Sequence, residues 1–68
     1  LHSYIVELKY AKSKDTDAHV EKLRQDAIRQ VVRYAESEVV TSAIKTTQLH
    51  KIIVVYKGTE MVVCEEVE

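Results

Sequence analysis

The chain opens with a segment in which apolar and polar side chains alternate. This two-residue period predicts a β-strand over residues 3 to 10. One face of that strand is uniformly apolar, and we expect it to pack against a core. Its residues are Tyr4, Val6, Leu8 and Tyr10. The opposite face carries Ile5, Glu7 and Lys9.

The pattern then changes to a spacing of three and four residues, which predicts a long helix from Ala18 to about Ser37. Thr16 or Asp17 is the expected N-cap, since either side chain can accept from a free amide of the first turn. The apolar stripe of this helix consists of Val20, Leu23, Ala27, Val31, Tyr34 and Ala35. At about 100° per residue Gln30 lies only about 20° from Leu23, so we expect it inside the buried stripe.

Residues 38 to 48 have the weakest pattern. We expect a helical turn or two and then a loop, although the threonines there also suit an extended chain. Residues 49 to 56 predict a strand, and its residues 52 to 55 are apolar on both faces, as expected of an interior strand. Gly58, the only glycine, predicts a hairpin turn before a last strand from Glu60 to about Glu66. On that strand Met61 and Val63 are expected on one face, and Val62 and Cys64 on the other.

The predicted order is therefore strand, helix, strand, strand, an α/β arrangement. A helical crossover makes the first two strands parallel and should be right-handed, while the hairpin makes the third antiparallel. One long crossover helix on a mixed three-stranded sheet covers a single face. We expect the other face to expose Val62 and the row of Ile52 and Val54.

Composition narrows the class of protein. With 68 residues the chain is one small domain or part of one, and its net charge of −1 gives no bulk attraction for a polyanion. A single cysteine, Cys64, excludes an intrachain disulfide and favours a reducing compartment, so we expect a cytoplasmic location. No apolar run approaches the roughly 20 residues of a membrane span, so no membrane partner is expected.

The most informative chemistry is the combination of Glu7, Lys9 and Gln30. If the helix covers the strand face that bears Glu7 and Lys9, a carboxylate, an ammonium and an amide meet there. Burying such charges costs several kcal/mol unless they are paired or bound to metal. A carboxylate is a hard oxygen ligand for Mg²⁺, and a lysine stabilises a developing anion, so the set suits phosphodiester hydrolysis.

Two segments carry a resemblance to a known family. The segment Tyr4-Ile-Val-Glu-Leu-Lys-Tyr10, followed by a helix with Gln30-x-x-x-Tyr34, resembles the second half of a PD-(D/E)XK nuclease-superfamily domain. It is most similar to the nuclease-like domain at the C-terminus of bacterial proteins that carry a predicted AAA-ATPase domain. Residues 47 to 58 and 64 to 67 resemble the closing strands of those domains. The resemblance implies a partial restriction-endonuclease-like core.

The resemblance also assigns roles. Glu7 matches the carboxylate that binds Mg²⁺, and Lys9 matches the catalytic lysine. Gln30 and Tyr34 match the helical Gln-x-x-x-Tyr motif, in which Gln30 would orient the site and Tyr34 would pack beneath it. In the complete parent, Mg²⁺-activated water would hydrolyse a nucleic-acid phosphodiester.

The family also has an aspartate on the strand before Glu-x-Lys, and no residue of this chain matches it. We therefore expect residues 1–68 to be the C-terminal portion of a truncated domain, inactive alone. An upstream Asp would favour an enzyme, whereas Asn, Ala or Ser there would favour the alternative. That alternative is a non-catalytic interaction or regulatory module with a degenerate nuclease fold. It would form a homo-oligomer through the exposed edge of the strand over residues 3 to 10.

Other polar residues have simpler interpretations. Lys12 and Lys14 follow the motif strand and are weak candidates for nucleic-acid contact, although a solvated loop explains them as well. Cys64 is expected to be a small hydrophobe. The histidines are scattered without the spacing of metal ligands: His2, His19 and His50. Three helix arginines are expected to face solvent: Arg24, Arg29 and Arg33.

Overall fold

The computed structural model describes residues 1–37, 40–42 and 47–68. The elements follow the predicted order: β1 (His2–Ala11), α1 (Asp17–Ala35), β2 (Gln48–Lys57) and β3 (Glu60–Val67). The sheet order is β1-β2-β3, with β1 parallel to β2 and β2 antiparallel to β3. The predicted α/β fold with a mixed three-stranded sheet is therefore confirmed. Residues 40–42 are helical, and the rest of the predicted helical turn and loop, at 38, 39 and 43–46, lies outside the described residues.

Helix α1 begins where a side chain can satisfy its first turn. Thr16, not Asp17, is the N-cap, and its hydroxyl oxygen accepts from the backbone N–H of His19 at 3.1 Å. Asp17 in the first turn and Arg33 in the last turn complement the helix dipole. The helix therefore starts and stops close to the predicted positions, because its ends depend on local chemistry.

The core lies between α1 and one face of the sheet. Ala27 and Val31 of the helix and Ile53 of β2 are fully buried and in one cluster. The partly buried residues around them are Ile5, Ile28, Val32, Val63 and Val67. Because Ile5 belongs to this set, α1 covers the face of β1 that also bears Glu7 and Lys9.

The apolar face of β1 is therefore the bare one, and the prediction that it packs against a core is wrong. Tyr4, Val6, Leu8 and Tyr10 are 62%, 51%, 46% and 68% exposed. Alternation correctly divides the strand into two faces, but it cannot say which face receives the helix. The packing of α1 determines which face is covered, because its small and branched residues Ala27 and Val31 pack on the side of Ile5.

Two further face predictions need correction. Val54 lies on the bare face but is only 7% exposed, since the central strand β2 is flanked by β1 and β3. A register shift between Val55 and Tyr56 places Met61 opposite Tyr56, hence on the bare face with Val62, not on the face of Val63. Val62 is exposed as predicted. The sheet thus exposes apolar side chains of β1 and β3 on this face.

We expect Gly58→Ala to destabilise the hairpin by about 1 kcal/mol or more. Gly58 has a φ of 62°, and an added Cβ would lie 3.1 Å from the Cβ of Ser13. Both the left-handed backbone and the close approach oppose a larger side chain. Urea denaturation followed by circular dichroism measures the loss, with Thr59→Ala in the same turn as control. Equal stability of the two variants would contradict the prediction.

In the described part of the chain, no helix combines the length and the apolar character required to cross a membrane.

Candidate functional site

Three of the residues singled out in the sequence meet where α1 crosses β1. The Lys9 ammonium Nζ lies 3.8 Å from the Glu7 carboxylate Oε2. The same Nζ donates a hydrogen bond of 2.9 Å to Oε1 of Gln30, 21 positions along the chain. The strand alternation puts Glu7 and Lys9 on one face, and the helix brings Gln30 above them. The lysine is therefore held between a carboxylate and an amide.

This cluster is more open to water than expected. The side chains of Lys9 and Glu7 are 22% and 30% exposed, so the pair is half-buried. Gln30 is exposed and Tyr34 is 55% exposed, which corrects the predictions that Gln30 is buried and that Tyr34 packs beneath the site. The reason is topological. Since β1 is an edge strand, the side of α1 above it overhangs solvent.

An open groove of about 360 Å³ adjoins the carboxylate. Its lining residues are Glu7, Gln30, Arg33, Tyr34 and Ser37. We call this the Glu7 groove. Ser37 is fixed at its end, because its backbone N–H donates to the carbonyl of Tyr34 at 3.0 Å. The sequence did not identify Arg33 and Ser37, although Arg33 follows Gln30 by three positions and so lies one helical turn away.

Arg24 does not simply face solvent as expected, because its side chain is only 30% exposed and joins two elements. Its guanidinium donates to Glu65 of β3 at 2.6 Å and to Glu21 at 3.0 Å. The hydrogen bond to Glu65 raises the pKa of Arg24 above its usual value. Arg24 thus links α1 to the far strand of the sheet, a contact between elements 41 positions apart that no local pattern reveals.

Carboxylates on the outer surface of α1 also have nearby partners. A hydrogen bond from Lys22 holds the pKa of Asp26 below its usual value, and Arg29 pairs with the same carboxylate. A hydrogen bond from Gln25 lowers the pKa of Glu21. Arg29 is exposed as predicted, and its charge is paired.

His2 and His50, scattered in the sequence, are neighbours on the bare sheet face. His2 Nδ1 and His50 Nε2 share a hydrogen bond of 2.8 Å although 48 positions separate them. His50 Nδ1 donates to the Glu66 carboxylate at 2.9 Å, and the Tyr4 ring stacks on His50. The parallel register causes this, since it pairs Tyr4 with His50. Cys64 is a free, exposed cysteine on the same face.

Lys12 and Lys14 lie away from the cluster. Both are exposed in the turn after β1, where the backbone N–H of Lys12 donates to the Asp15 carboxylate at 2.7 Å. Neither lines the Glu7 groove. They remain weak candidates for nucleic-acid contact.

The residues described do not complete a magnesium site. Glu7 is one hard oxygen ligand, and Lys9 is already its ionic partner. No group of three or more His, Cys, Asp or Glu side chains that could hold a metal occurs within residues 1–37, 40–42 and 47–68. Magnesium sites normally combine one or two carboxylates with substrate phosphates. A working site therefore needs at least one more oxygen ligand than the described residues place beside Glu7.

Comparison with known proteins identifies the family of this chain. No curated protein and no solved structure matches the chain. The family described as the PD-(D/E)XK nuclease superfamily matches residues 1–66, nearly the whole chain. The match includes the Glu-x-Lys strand, the helix with Gln30 and both closing strands. The chain belongs to the PD-(D/E)XK nuclease superfamily.

Proposed function

We propose that this chain provides the Glu-x-Lys half of the active site of a metal-dependent nuclease domain that acts on nucleic-acid phosphodiesters. One observation carries the proposal: the Lys9 ammonium is held by Gln30 at 2.9 Å beside the Glu7 carboxylate. A lysine placed in this way can bind a phosphate oxygen as a point charge. Members of the superfamily typically use Mg²⁺, for which Glu7 is the ligand this chain offers.

The proposed roles of the individual residues are supported by their contacts. Lys9 would meet the scissile phosphate, and Gln30 would fix the position of the Lys9 ammonium, since its amide oxygen accepts from Nζ. Tyr34 would form part of the wall of the Glu7 groove, along which the nucleic-acid strand would lie. The remaining metal ligand would come from outside the described residues. The association of the parent with an AAA-ATPase domain stays a prediction.

Incubation of this chain with supercoiled plasmid and Mg²⁺ or Mn²⁺ is expected to give no nicking or linearisation above buffer. One carboxylate is too few oxygen ligands to hold the metal in place for catalysis. Agarose gel electrophoresis over a time course measures the outcome. Cleavage that disappears in Glu7→Gln but persists in Glu60→Gln would contradict the prediction that the chain alone is inactive.

The half-site itself is tested separately with Mn²⁺ as a paramagnetic probe. Titration should broaden the amide NMR signals around Glu7 before those of β3, because a carboxylate held at the strand centre is the metal ligand. Glu7→Gln should abolish this selective broadening, and Glu60→Gln should leave it unchanged. Broadening that is identical in Glu7→Gln would count against the proposed role of Glu7.

A second function is supported by a different observation, the bare sheet face. Six large apolar side chains expose 39% to 68% of their surface there: Tyr4, Val6, Leu8, Tyr10, Met61 and Val62. The two tyrosines alone expose roughly 250 Å². Exposed apolar patches of several hundred Å² usually mark interaction surfaces. In this alternative the chain is a non-catalytic interaction or regulatory module with a degenerate nuclease fold, and it self-associates.

The edge of β1 provides a route for that association. Among the described strands β1 pairs only with β2, so its other edge presents free backbone donors and acceptors. A second copy pairing there would extend the sheet and its apolar face together. A stable dimer buries about 800 Å² per partner, which edge and face together could provide.

A further inference from the structure

Arg33 lines two grooves of the molecule. It lines the Glu7 groove, and it also lines a second open groove of about 340 Å³ along α1. The residues lining that second groove are Ile28, Arg29, Val32, Arg33 and Glu36. A chain-like ligand that lies in the Glu7 groove and continues into the second groove must therefore pass Arg33.

The charge of Arg33 also distinguishes it from the other arginines of α1. Arg24 is bound by Glu65 and Glu21, and Arg29 is bound by Asp26. Arg33 is exposed and makes no ion pair with any residue in the described ranges. A guanidinium offers five N–H donors in a fork that matches the oxygens of a phosphate. As far as the described residues go, its donors are free to bind a ligand in either groove.

We propose that Arg33 binds a phosphate of a nucleic-acid strand lying in the Glu7 groove, next to the phosphate that meets Lys9. This rests on the proposed nuclease function and adds a substrate-binding residue to it. Arg33 lies one helical turn from Gln30, which accepts a hydrogen bond from Lys9. Lys9 and Arg33 would therefore contact different phosphates along the nucleic-acid strand. Beyond Arg33, the apolar side chains of Ile28 and Val32 suit a base or sugar rather than another phosphate.

The test measures binding of a fluorescein-labelled single-stranded oligonucleotide of about 12 nucleotides by fluorescence anisotropy, a length that one small domain can cover. The buffer contains EDTA, so binding reports the chain's own residues. Arg33→Ala should weaken binding about tenfold at low salt, as expected for one lost charge-assisted contact. Between about 50 and 200 mM salt, the slope of log K against log salt should become shallower by about 0.7.

Four variants make the test specific, and one of them, Lys9→Ala, removes the ammonium of the proposed half-site. Lys22→Ala is the control, because it removes a cation of the same helix that is paired with Asp26 and lines neither groove, and it should bind like the wild type. Arg33→Lys should keep the wild-type salt slope, since the charge is retained. Glu7→Gln should tighten binding without metal, because the Glu7 carboxylate repels phosphate and competes with it for the Lys9 ammonium. Circular dichroism checks that each variant is folded.

The outcomes separate the two proposals. If Arg33→Ala binds like Lys22→Ala with an unchanged salt slope, while Lys9→Ala weakens binding, the role of Arg33 is wrong and the nuclease half-site stands. If the wild-type chain does not bind the probe, or binds it independently of both Lys9 and Arg33, both proposals fail. Weaker binding with a shallower salt slope in Arg33→Ala, and not in Lys22→Ala, supports the inference.

Discussion

Ile53→Ala is expected to lower the free energy of unfolding by about 2–5 kcal/mol, enough to leave much of the protein unfolded at 37 °C. The Ile53 side chain is completely buried, with 0% solvent exposure, and it packs against Ala27 and Val31. A chain of this size has roughly 3–10 kcal/mol of total stability. Removing three carbons from its central contact therefore takes away a large fraction of that stability.

Ile52→Ala is the matched control for this loss. Ile52 is the same residue type on the same strand, but it lies on the other face and is only partly buried. Its truncation should cost about 1 kcal/mol, since it leaves a smaller cavity. Urea denaturation at one fixed protein concentration compares the two. Equal losses would show that the bare face contributes as much to stability as the helix-covered face, contrary to the packing described.

Leu8→Asp is expected to convert a self-associated protein into a monomer. Leu8 is 46% exposed at the middle of the apolar face of β1. A carboxylate there would be desolvated in any sheet-to-sheet contact, and a charge on an edge strand also opposes strand pairing. Sedimentation velocity at micromolar concentration should show a dimer or larger species for the wild type and a monomer for Leu8→Asp.

Ala18→Asp provides the control for added charge. Ala18 is exposed in the first turn of α1, where an acidic residue is favourable. This variant should sediment like the wild type. A wild-type chain that is well folded and monomeric at these concentrations would refute self-association, whatever the variants do. A dimer that persists in Leu8→Asp would place the contact away from this face of β1.

The candidate site could be predicted from the sequence only in part. Glu7 and Lys9 were recognisable because a strand places residues two positions apart on the same face. Gln30 was recognisable because a helix has a fixed angular period. Their contact through Lys9 depended on the helix covering that face, which the structure shows. The burial of Gln30 and Tyr34 was wrongly predicted, because the helical period gives a direction around the axis and not the width of the sheet beneath it.

Other contacts had no signal in the chain at all. The bond from Arg24 to Glu65 and the pair of His2 and His50 join elements 41 and 48 positions apart. Such contacts depend on the register between strands and on the angle of the helix across them. Arg33 was interpretable only as a surface charge until the groove beside it was known.

The sequence by itself determined the order and type of the elements, the N-cap region, the hairpin at Gly58 and the two alternating faces of β1. These follow from hydrogen bonding and steric limits within a few residues, which act the same way in any fold. Only the tertiary structure decided which face of β1 the helix covers. Both faces carry apolar residues, and the choice depends on how Ala27 and Val31 fit against Ile53. That packing leaves Tyr4 and Leu8 in solvent and places the Glu7 and Lys9 pair beneath Gln30.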